Sequence, residues 1–148
     1  ENFMAMQLQI VIDCSDPAQL AVFWANALGY KVQDPPPGYA SWEAFLQAQG
    51  VPQEEWNSAS AVVDPDGKGP RIYFQRVPEA KVVKNRVHLD LNASRSVSHG
   101  SSSERVQRID VEVERLKGLG ASELYRREQR GEYWVTMADP EGNEFCVH

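Results

Sequence analysis

The tetrapeptide Asp64-Pro65-Asp66-Gly67 nearly recurs 75 positions later as Asp139-Pro140-Glu141-Gly142. Each copy has the chemistry of a tight turn, because proline fixes φ, the aspartate side chain can bond the local backbone, and glycine accepts a positive φ. A short run that follows each turn, at 71–76 and 144–148, is predicted to be a β-strand. The two turns therefore indicate an internal repeat.

The segment before the first turn contains a strand, a helix and an insert. Residues 9–14 (QIVIDC) are predicted to form a strand. A helix over 17–28 follows, with Asp16 as its N-cap, Pro17 in its first turn and Gly29 at its end. The Trp- and Ala-containing insert at 41–56 is expected to hold one short helix.

The segment before the second turn has the same order. A strand over 87–91 (VHLDL) precedes a helix expected from about Glu104 to Leu119, which Gly120 ends. Between them lies the Ser-rich stretch 94–105 (SRSVSHGSSSER), which shows no hydrophobic periodicity and is predicted to be a mobile loop.

Two βαβββ modules, each with one insert, account for these spacings. The predicted fold class is α+β, with curved mixed sheets that enclose one cavity. The first module is expected at 7–80 and the second at 81–148, together forming one domain. Each helix carries one apolar stripe, which is expected to pack on its sheet. The stripes comprise Leu20, Phe23, Trp24 and Leu28 in the first helix and Val106, Ile109, Val113 and Leu116 in the second.

Composition excludes several classes of protein. The chain has 148 residues, 42% of them hydrophobic, and a formal net charge of −6. This acidic balance disfavours a nucleic-acid partner, and no apolar run is long enough to span a membrane. The two cysteines, Cys14 and Cys146, do not form a C-x-x-C motif. With no signal peptide visible at residues 1–6, we expect a cytoplasmic protein that acts as a monomer or homodimer.

Strand alternation separates an apolar face from a largely polar face in four of the predicted strands. If the sheets curve, the polar faces converge on a cavity; the alternative is that they are merely solvated. His88 and Asp90 share a strand face, so an acid–base pair is one interpretation and a structural hydrogen-bonded pair is the other. The other candidate ligand-binding side chains on these faces are Gln9, Asp13, Tyr73, Gln75, Glu144 and Cys146.

These features resemble the vicinal oxygen chelate superfamily, which includes glyoxalase I, extradiol dioxygenases and the bleomycin- and fosfomycin-resistance proteins. The resemblance rests on residues 16–30 (DPAQLAVFWANALGY), on the two turns and on the strand VHLDL. The runs 69–91 and 137–147 are similar to glyoxalase-like domain proteins of actinobacterial type. The superfamily hosts many activities, so the resemblance implies a fold more strongly than a function.

Metal-dependent members of the superfamily use His or Gln, then Glu, His and Glu as ligands. Carried over, these positions correspond to Gln9, Gln75, His88 and Cys146, so both carboxylates are absent. Hard cations prefer carboxylates, and we therefore predict no metal and no other cofactor. If a metal does bind, His88 and the Cys146 thiolate favour zinc over magnesium. Cys146 is alternatively a nucleophile or a small apolar filler.

The resemblance implies a glyoxalase-like protein that binds a small molecule. Three alternatives stay open: an enzyme of lyase or isomerase type without a conventional metal centre, a non-catalytic protein that sequesters a drug or metabolite, and a metal-dependent glyoxalase or dioxygenase. The basic residues Lys81, Lys84 and Arg86 either hold an anionic ligand group or form a solvated linker. Tyr39 and Trp42, with Trp56, either form an apolar lid or pack the first insert onto its sheet.

Overall fold

The computed structural model describes residues 4–148. The chain divides into two compact units, the first ending at Ala80 and the second spanning Lys81–His148. Both units have the order βαβββ, with a short helix inserted in the first, so the predicted α+β class and its two modules are confirmed. The single cavity enclosed by the sheets stays a prediction. Each unit holds a four-stranded mixed sheet with one long helix packed against it.

The first unit contains four strands and two α-helices. Its sheet has the order β1-β4-β3-β2, in which β1 and β4 are parallel and the other pairs antiparallel. A 3₁₀ turn at Gln53–Glu55 follows the second helix. The elements are β1 (Ile10–Cys14), α1 (Pro17–Leu28), β2 (Lys31–Val32), α2 (Trp42–Ala48), β3 (Ala59–Val63) and β4 (Ile72–Arg76).

Capping fixes helix α1 as the sequence predicts. The Asp16 side chain accepts a hydrogen bond from the Gln19 N–H at 3.2 Å, and Gly29 ends the helix with a φ of 70°. Because glycine adopts this left-handed conformation without a steric penalty, it suits the stop position. Trp24 and Leu20 of the helix are almost fully buried, as is Phe74 of the sheet, and together they form much of the core.

The predicted insert in the first unit does hold a short helix, α2. Its N-cap is Ser41, whose side chain accepts from the Ala44 N–H at 3.1 Å. Tyr39 and Trp42 both make edge-to-face contacts with Phe45, with ring centroids 5.1 and 5.9 Å apart. The Trp56 indole donates to the Val51 carbonyl at 3.0 Å. These aromatic side chains therefore pack and anchor the insert, which favours the packing interpretation over a lid.

The second unit repeats the topology with a longer helix and two longer strands. Its sheet has the order β5-β8-β7-β6, with β5 and β8 parallel. The helix packs on β6, β7 and β8 through its buried residues Ile109, Val113 and Leu116. The elements are β5 (Leu89–Leu91), α3 (Ser102–Leu119), β6 (Ser122–Gln129), β7 (Glu132–Ala138) and β8 (Glu144–Val147).

Helix α3 begins earlier than the sequence analysis expects. The Ser101 side chain accepts from the Glu104 N–H at 3.2 Å, and the helix starts at Ser102 rather than near Glu104. The end of the predicted loop 94–105 is therefore helical, and Arg95–Val97 forms a 3₁₀ turn. The S-x-x-E pattern of a capping box, hidden inside the Ser-rich run, was the signal for this start. The mobility of the stretch remains a prediction.

The two repeated turns have closely matching hydrogen bonds. In each, the first aspartate accepts the N–H two residues later, Asp66 to Asp64 and Glu141 to Asp139, at 2.9 Å. The glycine N–H then bonds the carbonyl of that aspartate, at 3.0 Å in the first turn and 2.9 Å in the second. This match confirms that the repeat read from the sequence is structural.

Among the described residues, no helix is long and apolar enough to cross a lipid bilayer.

Candidate functional site

A groove of about 410 Å³ lies on the second unit, lined by residues of its sheet and by Lys84 and His88, which precede β5. The strand register sets one row of side chains across it, because Asp90 pairs with Cys146 and Cys146 pairs with Thr136. Paired residues project from the same sheet face. This row therefore belongs to the polar face that strand alternation predicts.

Three potential ligand or catalytic groups meet in this groove. The ring nitrogen Nε2 of His88 lies 3.4 Å from Oδ1 of Asp90. One ring nitrogen of His88, one carboxylate oxygen of Asp90 and the Cys146 sulfur lie within 4.8 Å of one another. His88 and Asp90 are exposed to solvent, whereas Cys146 is buried. The sequence prediction that His88 and Asp90 face the same way is consistent with this geometry.

The Cys146 thiol lies in surroundings that keep it protonated. Burial raises its pKa, and the nearby Asp90 carboxylate acts in the same direction. Its sulfur lies 3.4 Å from Oγ1 of Thr136, a hydrogen bond that partly offsets the rise. Because the thiolate is the nucleophilic form, this environment does not favour Cys146 as a nucleophile. Cys14 and Cys146 are both buried, and neither forms a disulfide bond.

Glu144 is engaged by groups next to the groove. Its carboxylate Oε2 accepts from Lys84 Nζ at 3.0 Å and from the Asn85 backbone N–H at 3.1 Å. The hydrogen bond from Lys84 is the main cause of a lowered pKa at Glu144, and Glu144 in turn raises the pKa of Lys84. Of the basic stretch noted in the sequence, Lys84 thus contacts an acidic partner at the groove and is not merely solvated.

Six residues that line the groove are not among the predicted site residues, namely Tyr125, Glu132, Tyr133, Trp134, Thr136 and His148. Tyr133 and Trp134 alternate on β7, and the Tyr133 hydroxyl donates to Asp110 of α3 at 2.7 Å. Alternation therefore directs Trp134 to the opposite face, where it lines the groove with Thr136. The alternation along Glu132–Ala138 shows that Tyr133 and Trp134 face opposite sides of the sheet. Only the contact of Tyr133 with α3 shows which side each of them faces.

The remaining predicted residues lie on one face of the first unit's sheet. Gln9 comes directly before β1, and the register pairs Val11 with Tyr73 and Asp13 with Gln75. Alternation places Gln9, Asp13, Tyr73 and Gln75 on the face opposite the buried Ile72 and Phe74. The prediction that these side chains share a cavity with His88 and Cys146 remains a prediction.

Arg71, which was not among the predicted site residues, organises one end of this face. Its Nη1 donates to Oε1 of Gln9 and its Nε to Oε1 of Gln33, both at 2.8 Å. The guanidinium carbon lies 5.4 Å from the centroid of the Tyr73 ring. The amide oxygen that Gln9 would offer to a metal therefore already accepts a hydrogen bond from a cation.

The register also revises one position that the family resemblance implies. In the first unit, Gln9 directly precedes the first pair of residues matched between the parallel strands, Ile10 with Ile72. In the second unit, His88 holds the same position before the pair of Leu89 with Phe145. Counting from these pairs, Cys146 of the second unit corresponds to Tyr73 of the first. Gln75, to which the sequence analysis assigned this position, lies two residues further along β4.

These residues do not fit the hard-cation site of the metal-dependent relatives. Such sites need carboxylates, but the equivalent positions of the two units carry Tyr73 and Cys146. The nearby Glu144 carboxylate is paired with Lys84. A guanidinium next to Gln9 adds repulsion toward any cation there. The mixed donors of His88, Asp90 and Cys146 are of the kind that zinc accepts.

The two βαβββ units have the fold of the vicinal oxygen chelate superfamily. The family model described as glyoxalase-like domain matches residues 9–148, and the chain belongs to this family. No curated protein sequence matches the chain.

Solved structures with the same fold include a fosfomycin resistance protein, FosX, from Listeria monocytogenes, with a TM-score of 0.62 and 13% identity, over 99% of this chain and 92% of that one. The hypothetical protein SA1046 from S. aureus has a TM-score of 0.58 and 15% identity, over 98% and 97% of the two chains. A possible glyoxalase from Bacillus cereus gives 0.60 and 13%, over 97% and 98%. At these identities, the likeness concerns the fold alone.

Proposed function

We propose that the protein binds a small organic molecule in the groove of its second unit and catalyses proton transfer on it, as a lyase or isomerase would. The observation that carries the proposal is the contact of His88 with Asp90, 3.4 Å apart, inside a groove of about 410 Å³. Membership of the glyoxalase-like family supports small-molecule chemistry of this kind. We further propose that the protein works in the cytoplasm.

In this proposal His88 is the proton carrier and Asp90 orients it. With Nε2 directed to the carboxylate, Nδ1 is the nitrogen that accepts a proton from an acidic C–H bond of the ligand. Asp90 stabilises the imidazolium that forms. The proton then returns to another carbon in an isomerisation, or to the leaving group in an elimination. Trp134 and Thr136 contact the ligand, the first through its ring and the second through its hydroxyl.

The test compares binding with turnover. The protein is incubated with a small-molecule extract of bacterial cells, and mass spectrometry records which molecules are retained and which are converted. His88→Gln should retain the same molecule but convert it about 10²–10⁴-fold more slowly, the usual contribution of one acid–base group. His99→Gln is the matched control, because His99 is exposed and lies outside the residues that line the groove. A molecule that all three proteins retain unchanged would contradict catalysis and support sequestration.

A second candidate function is zinc-dependent chemistry in the same groove. It is favoured by one observation, the meeting of an imidazole, a carboxylate and a thiol within 4.8 Å. Three such ligands with an open fourth position are typical of catalytic zinc sites. Against it stands the raised pKa of the Cys146 thiol, which must lose its proton to bind a metal. Elemental analysis of the purified protein separates the two functions.

A further inference from the structure

Arg71 of the first unit is a positively charged side chain held in place by neutral groups. Both oxygens that accept its hydrogen bonds are amides, those of Gln9 and Gln33, each at 2.8 Å. Among the described residues of the first unit, no carboxylate lies within ion-pair distance of it. Arg76, at the end of the strand β4 that Arg71 directly precedes, differs in this respect, since it contacts the Glu55 carboxylate at 3.5 Å.

The groups that hold Arg71 are themselves anchored, so the guanidinium has a defined direction. The backbone N–H of Gln33 donates to the Ala61 carbonyl at 2.9 Å, and its carbonyl accepts from the Trp42 indole at 2.7 Å. The Arg71 carbonyl accepts from the Ile10 N–H at 3.1 Å. The Tyr73 ring lies beside the guanidinium, in a cation–π contact. Ordering an arginine side chain lowers its conformational entropy. Because Arg71 is already ordered in the free protein, a ligand that binds it does not have to order it.

The hydrogen bonds leave part of the guanidinium fork unused. Arginine has five N–H groups, of which one on Nε and one on Nη1 are engaged by the two glutamines. Within residues 4–148, the other N–H of Nη1 and both N–H groups of Nη2 have no hydrogen-bond partner. An ordered guanidinium with adjacent free N–H groups matches the two oxygens of a carboxylate, a pairing that adds geometric specificity to charge. Arg71 is half-buried, so part of it is open to a ligand.

We propose that Arg71 forms, with Gln9 and Tyr73, a binding site for a carboxylate group of a small-molecule ligand. This site lies on the sheet of the first unit. It is separate from the groove of the second unit, to which the proposed function refers. It also gives Gln9 a different role from the one that the family resemblance implies, because Gln9 positions the guanidinium instead of coordinating a metal. The two proposals rest on different residues and can fail independently.

The test uses benzoate as the probe, with benzamide as the uncharged molecule of nearly the same shape. Isotope-labelled protein is titrated with each at constant ionic strength, and NMR follows the Arg71 Nε–H signal and the Gln9 side-chain amide. Benzoate should shift both signals in a saturable way, and benzamide should not. Arg71→Gln should weaken benzoate binding about tenfold or more, since charge-assisted hydrogen bonds are lost. Arg71→Lys, which keeps the charge but not the fork, should lose most of the same affinity.

Arg76→Gln is the matched control, because it removes the same charge five residues further along the chain, at a side chain that already has an acidic partner. It should leave benzoate binding unchanged. Two results would overturn the proposal. One is equal weakening by Arg71→Gln and Arg76→Gln, which would show a general charge effect. The other is the lack of a saturable shift at Arg71 in the wild-type protein, which would leave the side chain with a purely structural role.

Discussion

Added Mn²⁺, Mg²⁺ or Ni²⁺ should not stabilise this protein, and this is the most direct test of the site chemistry described above. A stable site for these ions needs carboxylate oxygens that are free to coordinate. In the second unit, the Glu144 carboxylate is already bound by Lys84 at 3.0 Å, and Cys146 is a protonated thiol. In the first unit, Gln9 accepts a hydrogen bond from the cationic Arg71. A divalent ion would have to displace these partners.

The shift in melting temperature that metal binding would cause is large enough to measure. An ion present at 100 times its dissociation constant would stabilise the folded state by about 2.7 kcal/mol. For a chain of 148 residues, each kcal/mol shifts the melting temperature by roughly 2–4 °C, so true binding would give a shift of about 5 °C or more. A thermal melt followed by circular dichroism resolves such a change. We expect no shift with the three ions, and at most a small one with Zn²⁺.

Two cysteine variants make the zinc arm specific. Cys146→Ser removes the thiol that lies within 4.8 Å of the other two donors, and any zinc shift should disappear with it. Cys14→Ser is the matched control, since Cys14 is also buried but belongs to the first unit. A shift of about 5 °C with Mn²⁺ or Ni²⁺ that His88→Ala abolished would refute the reasoning. It would mean that Asp90 or Glu144 rearranges to complete a hard-cation site.

The other predictions concern the repeated turns, the helix cap and the thiol. Asp139→Ala should destabilise the protein by about 2–3 kcal/mol, because a buried carboxylate that accepts two backbone N–H groups is lost, whereas Asp64→Ala, at a more exposed turn, should lower the melting temperature less. Ser101→Ala should cost about 1 kcal/mol in urea unfolding, whereas a mere loop residue would cost nothing measurable. Iodoacetamide should alkylate Cys146 more slowly than free cysteine at the same pH, because the pKa of the Cys146 thiol is raised above 9.0. The buried, protonated thiol contributes fully to stability below pH 9.0, and this contribution declines as the pH rises through the pKa of the thiol in the folded protein.

Local chemistry made much of the fold predictable from the sequence. The cap at Asp16, the stop at Gly29 and the two Asp-Pro turns are each specified by a few neighbouring residues, and each lies where the sequence analysis expects it. The predicted start of α3 is too late, because a run of serines is typical of a loop and masks the capping-box pattern that begins at Ser101.

The candidate site was less predictable because it depends on pairing between distant strands. Alternation along one strand tells which residues share a face, and it correctly grouped His88 with Asp90. It does not tell which residue of the next strand lies opposite, so Gln75 was assigned the position that the register gives to Tyr73. Arg71 was missed for a similar reason: its partner Gln33 is 38 positions away in sequence, and no local pattern links the two.

The internal repeat shows how one scaffold supports two different chemistries. Counting from the first pair of each unit, Arg71 of the first unit corresponds to Glu144 of the second, so equivalent positions carry opposite charges. The first is held by neutral amides and keeps its charge available, whereas the second is neutralised by Lys84. The fold fixes where these side chains project, but the neighbours decide whether the charge can meet a ligand. This is why family membership alone does not assign a metal to this protein, and why Arg71 and His88 are the residues to test first.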